Sequence, residues 1–262
     1  MARELGLSPA LDRMLLHGVG CAGGMSIMRA AAQIACGAAA RGRPARVLCF
    51  ACELCTPNVR HDLAEAEACT DISQLGITAA LFGDGAGAFV LCNDEGLLRD
   101  DNGNPQTPVF QLLEWGNSTL PDTMQYLSCY VDPTGFRTVL TRDVPSFTRK
   151  AVAPMFQQLL PSFRDKVGFA ELDASSFDWA LHPGGLAIIE GVQAQLSLTD
   201  EQLRATQQIY KTRGNTSSAS VLSVLDLLRK MGRGKDHVVA TAFGPGISIE
   251  MAMLRRVRER GD

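Results

Sequence analysis

Cys21 stands inside Gly18-Val-Gly-Cys-Ala-Gly-Gly24, between an apolar run and a stretch of strong helix formers. A glycine-rich elbow leading from strand to helix exposes one side chain at a helix N-terminus, where free N–H groups and the helix dipole favour a thiolate. That makes Cys21 a candidate nucleophile, whereas a cysteine outside such an elbow is usually a small buried hydrophobe. His182 follows the apolar run Phe-Asp-Trp-Ala-Leu181 and precedes Pro-Gly-Gly185. A strand end of this kind is where open α/β sheets place ligands, so His182 is the candidate acid–base or oxyanion group. Asn215, in Gly214-Asn-Thr-Ser-Ser-Ala219, has two uses that the local sequence leaves open. It caps the following helix, or its amide donates to a developing oxyanion. Ala242-Phe-Gly-Pro-Gly246 reads as a turn between strands whose rigidity also suits a pocket wall. The other histidines carry less: His17 reads as a core residue, and His61 and His237, among charged neighbours, as solvated.

Two further patterns invite chemistry and fail on inspection. Gly18-x-Gly-x-x-Gly23 fits a dinucleotide fingerprint, which also requires an acidic residue about 20 positions on. Residues 36–47 contain neither Asp nor Glu. Cys49-x-x-Cys52-x-x-Cys55 matches part of an iron–sulfur motif, but Cys49 and Cys52 fall in an apolar strand on opposite faces, and Cys69 lies fourteen positions beyond Cys55. No metal site is expected.

The elements that must position these residues alternate in the manner of an α/β protein. Residues 13–19 read as a strand, 25–40 as a helix, and 45–52 and 85–92 as strands buried on both faces. The polar, proline- and glycine-containing segment 93–108 is the boundary candidate, dividing the chain into 1–105 and 106–262. Beyond it, 109–115 reads as a strand and 144–160 as a helix disturbed by Pro154. Residues 177–181 form a short strand, 184–196 a helix, and Thr199-Asp-Glu-Gln202 a capping box that opens another. An amphipathic helix at 217–231 and two strands, 238–242 and 247–253, close the chain.

The composition excludes several classes. With 262 residues, 25 basic and 28 acidic side chains and a net charge of −3, the chain lacks the electrostatics of a nucleic-acid binder. No apolar stretch reaches the roughly 18 residues of a membrane span. Eight cysteines are too sparse for a disulfide scaffold, so the expectation is a soluble, cytoplasmic protein with free thiols.

Taken together and in order, Cys21 in Gly-Cys-Ala-Gly-Gly, Leu81-Phe-Gly-Asp-Gly85, His182-Pro-Gly-Gly, Gly214-Asn-Thr-Ser-Ser-Ala219 and Phe243-Gly-Pro-Gly246 resemble the type III polyketide synthases, the chalcone and stilbene synthase family. Residues 16–60 are similar to the fungal branch that makes alkylresorcinols and alkylpyrones. The resemblance implies a thiolase-like fold, two α/β halves stacked as a five-layer αβαβα sandwich, normally a homodimer. It implies that Cys21 takes an acyl group from coenzyme A, and that His182 and Asn215 hold the thioester carbonyl and the enolate formed when malonyl-CoA loses carbon dioxide. A protonated His182 would keep Cys21 as thiolate. Coenzyme A thioesters are then substrates, and no metal or redox cofactor is required. Phe82 resembles the aromatic gatekeeper, Cys55, Asn58 and Ser217 line the cavity, and the Gly244-Pro245-Gly246 loop shapes the cyclisation pocket. Counting back from Asp143-Val-Pro145 puts Thr138 at the second gatekeeper, with Phe136 two residues away; a small residue there opens the cavity and favours a long fatty acyl starter.

The sequence departs from the family before the nucleophile, where only twenty residues stand. The expectation is an incomplete N-terminal half with open sheet edges, poorly soluble or inactive without a partner. Two other readings share the motifs: an initiating β-ketoacyl-carrier-protein synthase, and an inactive remnant that serves only in dimerisation.

Overall fold

The computed structural model describes residues 3–72, 76–133, 135–232 and 234–257. After the 3₁₀ turn Gly20–Ala22 come α1 (Gly23–Ala39), β1 (Arg46–Glu53), α2 (Thr56–Ala68), the single-turn α3 (Thr78–Leu81) and β2 (Gly85–Cys92). The second part holds β3 (Phe110–Thr119), β4 (Leu127–Asp132), β5 (Gly135–Leu140), α4 (Val144–Val167), β6 (Phe177–Leu181), α5 (Leu186–Leu196), α6 (Arg204–Arg213), α7 (Ala219–Lys230), β7 (His237–Gly244) and β8 (Ser248–Arg256).

A four-stranded sheet in the order β3-β8-β7-β6 is the centre of the molecule. β6 and β7 are parallel, so a crossover through α5, α6 and α7 separates them; the remaining pairs are antiparallel. Side chains alternate across this sheet, and their sizes differ by face. Phe177, Trp179, Leu181, Val239, Phe243, Met251 and Met253 join the cluster that α4 and α5 cover. Ala180, Ala240, Ala242 and Ala252 face the other way, with Val238 and Leu254, toward α1 and α7. The alanines let α1 and α7 approach the sheet closely. The approach between the helices is closer still, since a Cβ on Gly24 would lie 2.3 Å from the Ser218 carbonyl oxygen. The antiparallel pair β1–β2 packs on the far side of α1 and α7. Four layers result: α4 with α5, the large sheet, α1 with α7, and the small sheet.

Several sequence expectations are corrected by this arrangement. Residues 13–17 form no strand and are exposed, His17 included, because among the described residues no strand offers them a ladder. β1 and β2 are not buried on both faces. Cys49 and Ala51 point into α1 and α7, whereas Leu48 and Phe50 are 40% and 48% exposed. α4 continues through Pro154 and Pro161 to Val167, since a proline removes one donor without ending an otherwise buried helix; Gly168, at φ +74°, stops it. The capping box at Thr199 and Gln202 forms, but as a turn that precedes α6. His61 and His237 are both buried, His61 paired with Glu65 at 3.1 Å and His237 against Phe163 and Phe177.

Candidate active site

The elbow at Cys21 is fixed by backbone shape. Gly18 and Gly20 have φ of +78° and +57°, and a Cβ on Gly20 would meet the Pro245 ring at 2.6 Å. A Cβ on Gly244 would in turn lie 2.4 Å from the Val19 carbonyl oxygen. Glycines at 20 and 244 therefore let the elbow dock on the end of β7, and the Gly244–Gly246 turn becomes its wall. Gly246 is held by the Thr123 hydroxyl, which donates to its carbonyl (2.7 Å), and by its own N–H, which donates to the Leu127 carbonyl (2.8 Å).

From Cys21 a continuous path of contacts runs to His182. The thiol hydrogen-bonds the Ser217 side chain. Ser217 adopts φ +51°, and its N–H donates to Asn215 Oδ1 at 2.9 Å, which fixes the amide. Asn215 Nδ2 points to the Gly184 carbonyl at 3.5 Å, a long contact that leaves most of its donor capacity free. Gly184 lies beside the His182 ring and donates to the His182 carbonyl at 2.8 Å. His182 sits at the end of β6, its N–H donating to the Thr241 carbonyl (2.8 Å) on β7. His182 and Asn215 are both 2% exposed, and His182 Nδ1 has no hydrogen-bond partner among the described residues. Asn215 makes no side-chain cap to α7.

Electrostatics overturn the expected thiolate. Burial pushes the Cys21 thiol up to about 12; the Ser217 hydrogen bond opposes this, while Cys129, Glu53 and Cys55 add to it. Burial alone takes His182 down to about 4. The short 3₁₀ entry into α1 does not offset the loss of water, so the resting pair is a neutral thiol and a neutral imidazole.

The remaining predicted residues surround this path. Phe82 ends α3 and bridges to Asn215, whose carbonyl accepts the Gly83 N–H at 2.9 Å. The Cys55 N–H donates to Asp84 Oδ1 (2.6 Å), and burial raises the Cys55 thiol to about 11. Asn58 Nδ2 donates to Thr138 Oγ1 at 2.6 Å, which joins α2 to the β4–β5 hairpin. Three residues near Cys21 escaped the sequence reading: Glu53, Ser218, which donates to Glu53, and Cys129, 3.8 Å from Thr138. The turn Asp132-Pro-Thr-Gly135 was the available sign of the hairpin that carries Cys129. Among the described residues, no group of His, Cys, Asp and Glu is arranged to hold a metal ion, and no helix is long and apolar enough to cross a membrane.

The chalcone and stilbene synthase N-terminal domain matches residues 1–95, and the C-terminal domain of the same enzymes matches residues 111–258. This chain belongs to the chalcone and stilbene synthase family. Type III polyketide synthase pspB of Penicillium soppii is 58% identical over 264 residues, which cover 97% of this chain and 65% of that protein. Acylalkylpyrone synthase csyB of Aspergillus oryzae is 35% identical, over 98% of this chain and 64% of its own. The chain thus spans slightly less than two thirds of the length of these relatives. The crystal structure of a fungal type III polyketide synthase, ORAS, superposes with a TM-score of 0.89 at 40% identity, over 98% of this chain and 68% of that one. A crystal structure of CsyB complexed with CoA-SH gives 0.87 at 33%, over 98% and 68%. The family's thiolase-like fold is therefore the fold of this chain.

Proposed function

We propose that this chain carries the reaction centre of a type III polyketide synthase, which condenses an acyl-CoA starter, a fatty acyl one by preference, with malonyl-CoA to give resorcinols or pyrones. The observation that carries the reading is the unbroken path from the Cys21 thiol through Ser217, Asn215 and Gly184 to the His182 ring. In the first step the Cys21 sulfur attacks the starter thioester carbonyl as its proton passes to His182. The carbonyl electron pair moves to oxygen, and it returns as the coenzyme A sulfur departs with a proton. In the second step malonyl-CoA loses carbon dioxide, and its C–C bonding pair becomes an enolate whose oxygen is met by His182 and the Asn215 amide. The enolate carbon then attacks the Cys21 thioester and releases the Cys21 sulfur. Both developing oxyanions need preorganised donors, and the free donor capacity of Asn215 and the enclosed ring of His182 suit that task.

In this reading Phe82 gates the passage for coenzyme A, while Cys55, Asn58, Thr138, Ser217 and the Gly244-Pro245-Gly246 turn wall the cavity. Residues 1–105 present the nucleophile and 106–262 the His and Asn. The protein works as a cytoplasmic homodimer without metal or redox cofactor. The complex of CsyB with CoA-SH and the name of the acylalkylpyrone synthase support the substrate class. The test is intact mass spectrometry after incubation with a long-chain acyl-CoA. A single acyl adduct that maps to Cys21 and is lost in Cys21→Ala is expected, followed by pyrone or resorcinol masses once malonyl-CoA is added. Absence of any adduct on folded protein would overturn the reading.

A further inference from the structure

Two thiols beside Cys21 have no part in the condensation. Cys129 lies on β4 opposite Thr138 of β5, with its Sγ 3.8 Å from Thr138 Oγ1. The root of this hairpin is fastened to the elbow of Cys21. Leu127, two residues before Cys129, accepts the Gly246 N–H, and the adjoining Pro245 ring packs on Gly20. The electrostatic influence of Cys129 and of Cys55 accordingly reaches the Cys21 sulfur. The three thiols differ in access: Cys129 is exposed, Cys21 half-buried and Cys55 buried. Among the described residues β4 and β5 pair only with each other. The hairpin is held by α2, by the Asn58–Thr138 hydrogen bond and by the Leu127–Gly246 hydrogen bond. An isolated two-stranded ribbon of this kind yields readily, and it can supply the shift that disulfide geometry demands.

The geometry points to a peroxide-sensitive thiol pair in which Cys129 is oxidised first and Cys21 then closes a disulfide on it. The co-reactant is a peroxide. The Cys129 sulfur attacks one peroxide oxygen, the S–O bond forms as the O–O bond breaks, and the leaving oxygen departs as water or an alcohol with the thiol proton. The Cys21 sulfur then attacks the sulfenic sulfur of Cys129; the S–S bond forms, the S–O bond breaks, and the hydroxide leaves as water with the Cys21 proton. In sum, two thiols and one peroxide give one disulfide, one water and one water or alcohol. Loss of condensing activity on oxidation rests on the proposed role of Cys21, but formation of the disulfide does not.

The experiment treats the full, reduced chain with hydrogen peroxide and reads intact mass and non-reduced peptides. A loss of about 2 Da, a cross-linked peptide joining Cys21 to Cys129, and return to the starting mass with dithiothreitol are expected. Cys129→Ser removes the cross-link and leaves Cys21 reduced or over-oxidised. Sulfinic or sulfonic Cys21 without a cross-link in the wild-type chain would overturn the proposal, as would a Cys21–Cys55 cross-link. The wild-type cross-link is decisive by itself, so a poorly folded Cys129→Ser protein leaves the result standing. Failure of Cys21 to accept an acyl group would sink the functional reading and leave this measurement unaffected.

Discussion

Cys21 and His182 are enclosed so far that neither sustains a charge in the resting state, the thiol standing near 12 and the imidazole near 4. A neutral pair stores no nucleophile; it makes one when a thioester arrives and His182 can take the proton in the same event. This has a measurable sign. The thiolate fraction of Cys21 rises tenfold per pH unit at every pH below the thiol pKa, so iodoacetamide should alkylate Cys21 about tenfold faster for each unit between about pH 6 and about pH 9. A rate that levels off above about pH 6 would show a standing thiolate–imidazolium pair and refute the neutral one. Cys21, His182 and Asn215 were all legible from their flanking glycines, but their ionisation was not. A helix N-terminus is visible in a sequence, whereas the depth of burial that outweighs it is a property of the packed chain. His61 and His237 teach the same lesson in reverse. Each has charged neighbours along the chain, yet packing turns the imidazole inward while the neighbours stay outside.

Among the elements, those with a one-dimensional signature were read well. β1, β2, β6, β7 and β8 are apolar runs between turn residues, and α1 and α7 carry apolar residues at helical spacing. α2 was missed because only His61 of its thirteen residues is buried, so it has no apolar stripe to read. The hairpin β4–β5 was missed because its strands show no clean alternation. Residues 13–17 have the composition of a strand and form none, since a strand requires a partner and its sequence shows only half of the pair. α1 offers a sharp test of how the site is set. A Cβ at Gly24 meets the Ser218 backbone oxygen at 2.3 Å, while a Cβ at Gly37 meets nothing within 4 Å. Gly24→Ala should therefore lower stability by about 1–3 kcal/mol through overpacking. Gly37→Ala should raise it by about 0.5–1 kcal/mol through helix propensity. Urea midpoints of the two variants check the pair, and equal shifts would refute it.

For the molecule as a whole, the outer face of the small sheet dominates behaviour in solution. Leu48, Phe50 and Val90 are 40%, 48% and 62% exposed there, with Ala86, Ala88 and Cys52 between them. An uninterrupted apolar surface of this kind drives association of copies. Phe50→Lys with Val90→Lys should shift the chain toward smaller species in light scattering at equal concentration, with the α-helical circular dichroism signal unchanged. Unchanged scattering would locate the sticky surface elsewhere.

The parts of the site differ in what holds them. Cys21, Ser217 and the β7 end meet through backbone: Gly20 on Pro245, Gly244 on the Val19 carbonyl, Gly24 on the Ser218 carbonyl. Asn58, Thr138 and Cys129 meet through side chains on a ribbon that belongs to no larger sheet. Mutation can exchange the second set one residue at a time without disturbing the first. Descendants of this chain can therefore diverge in the molecules they accept and in the lengths they build while inheriting one unaltered chemistry, because selection meets the two properties on separate pieces of the fold.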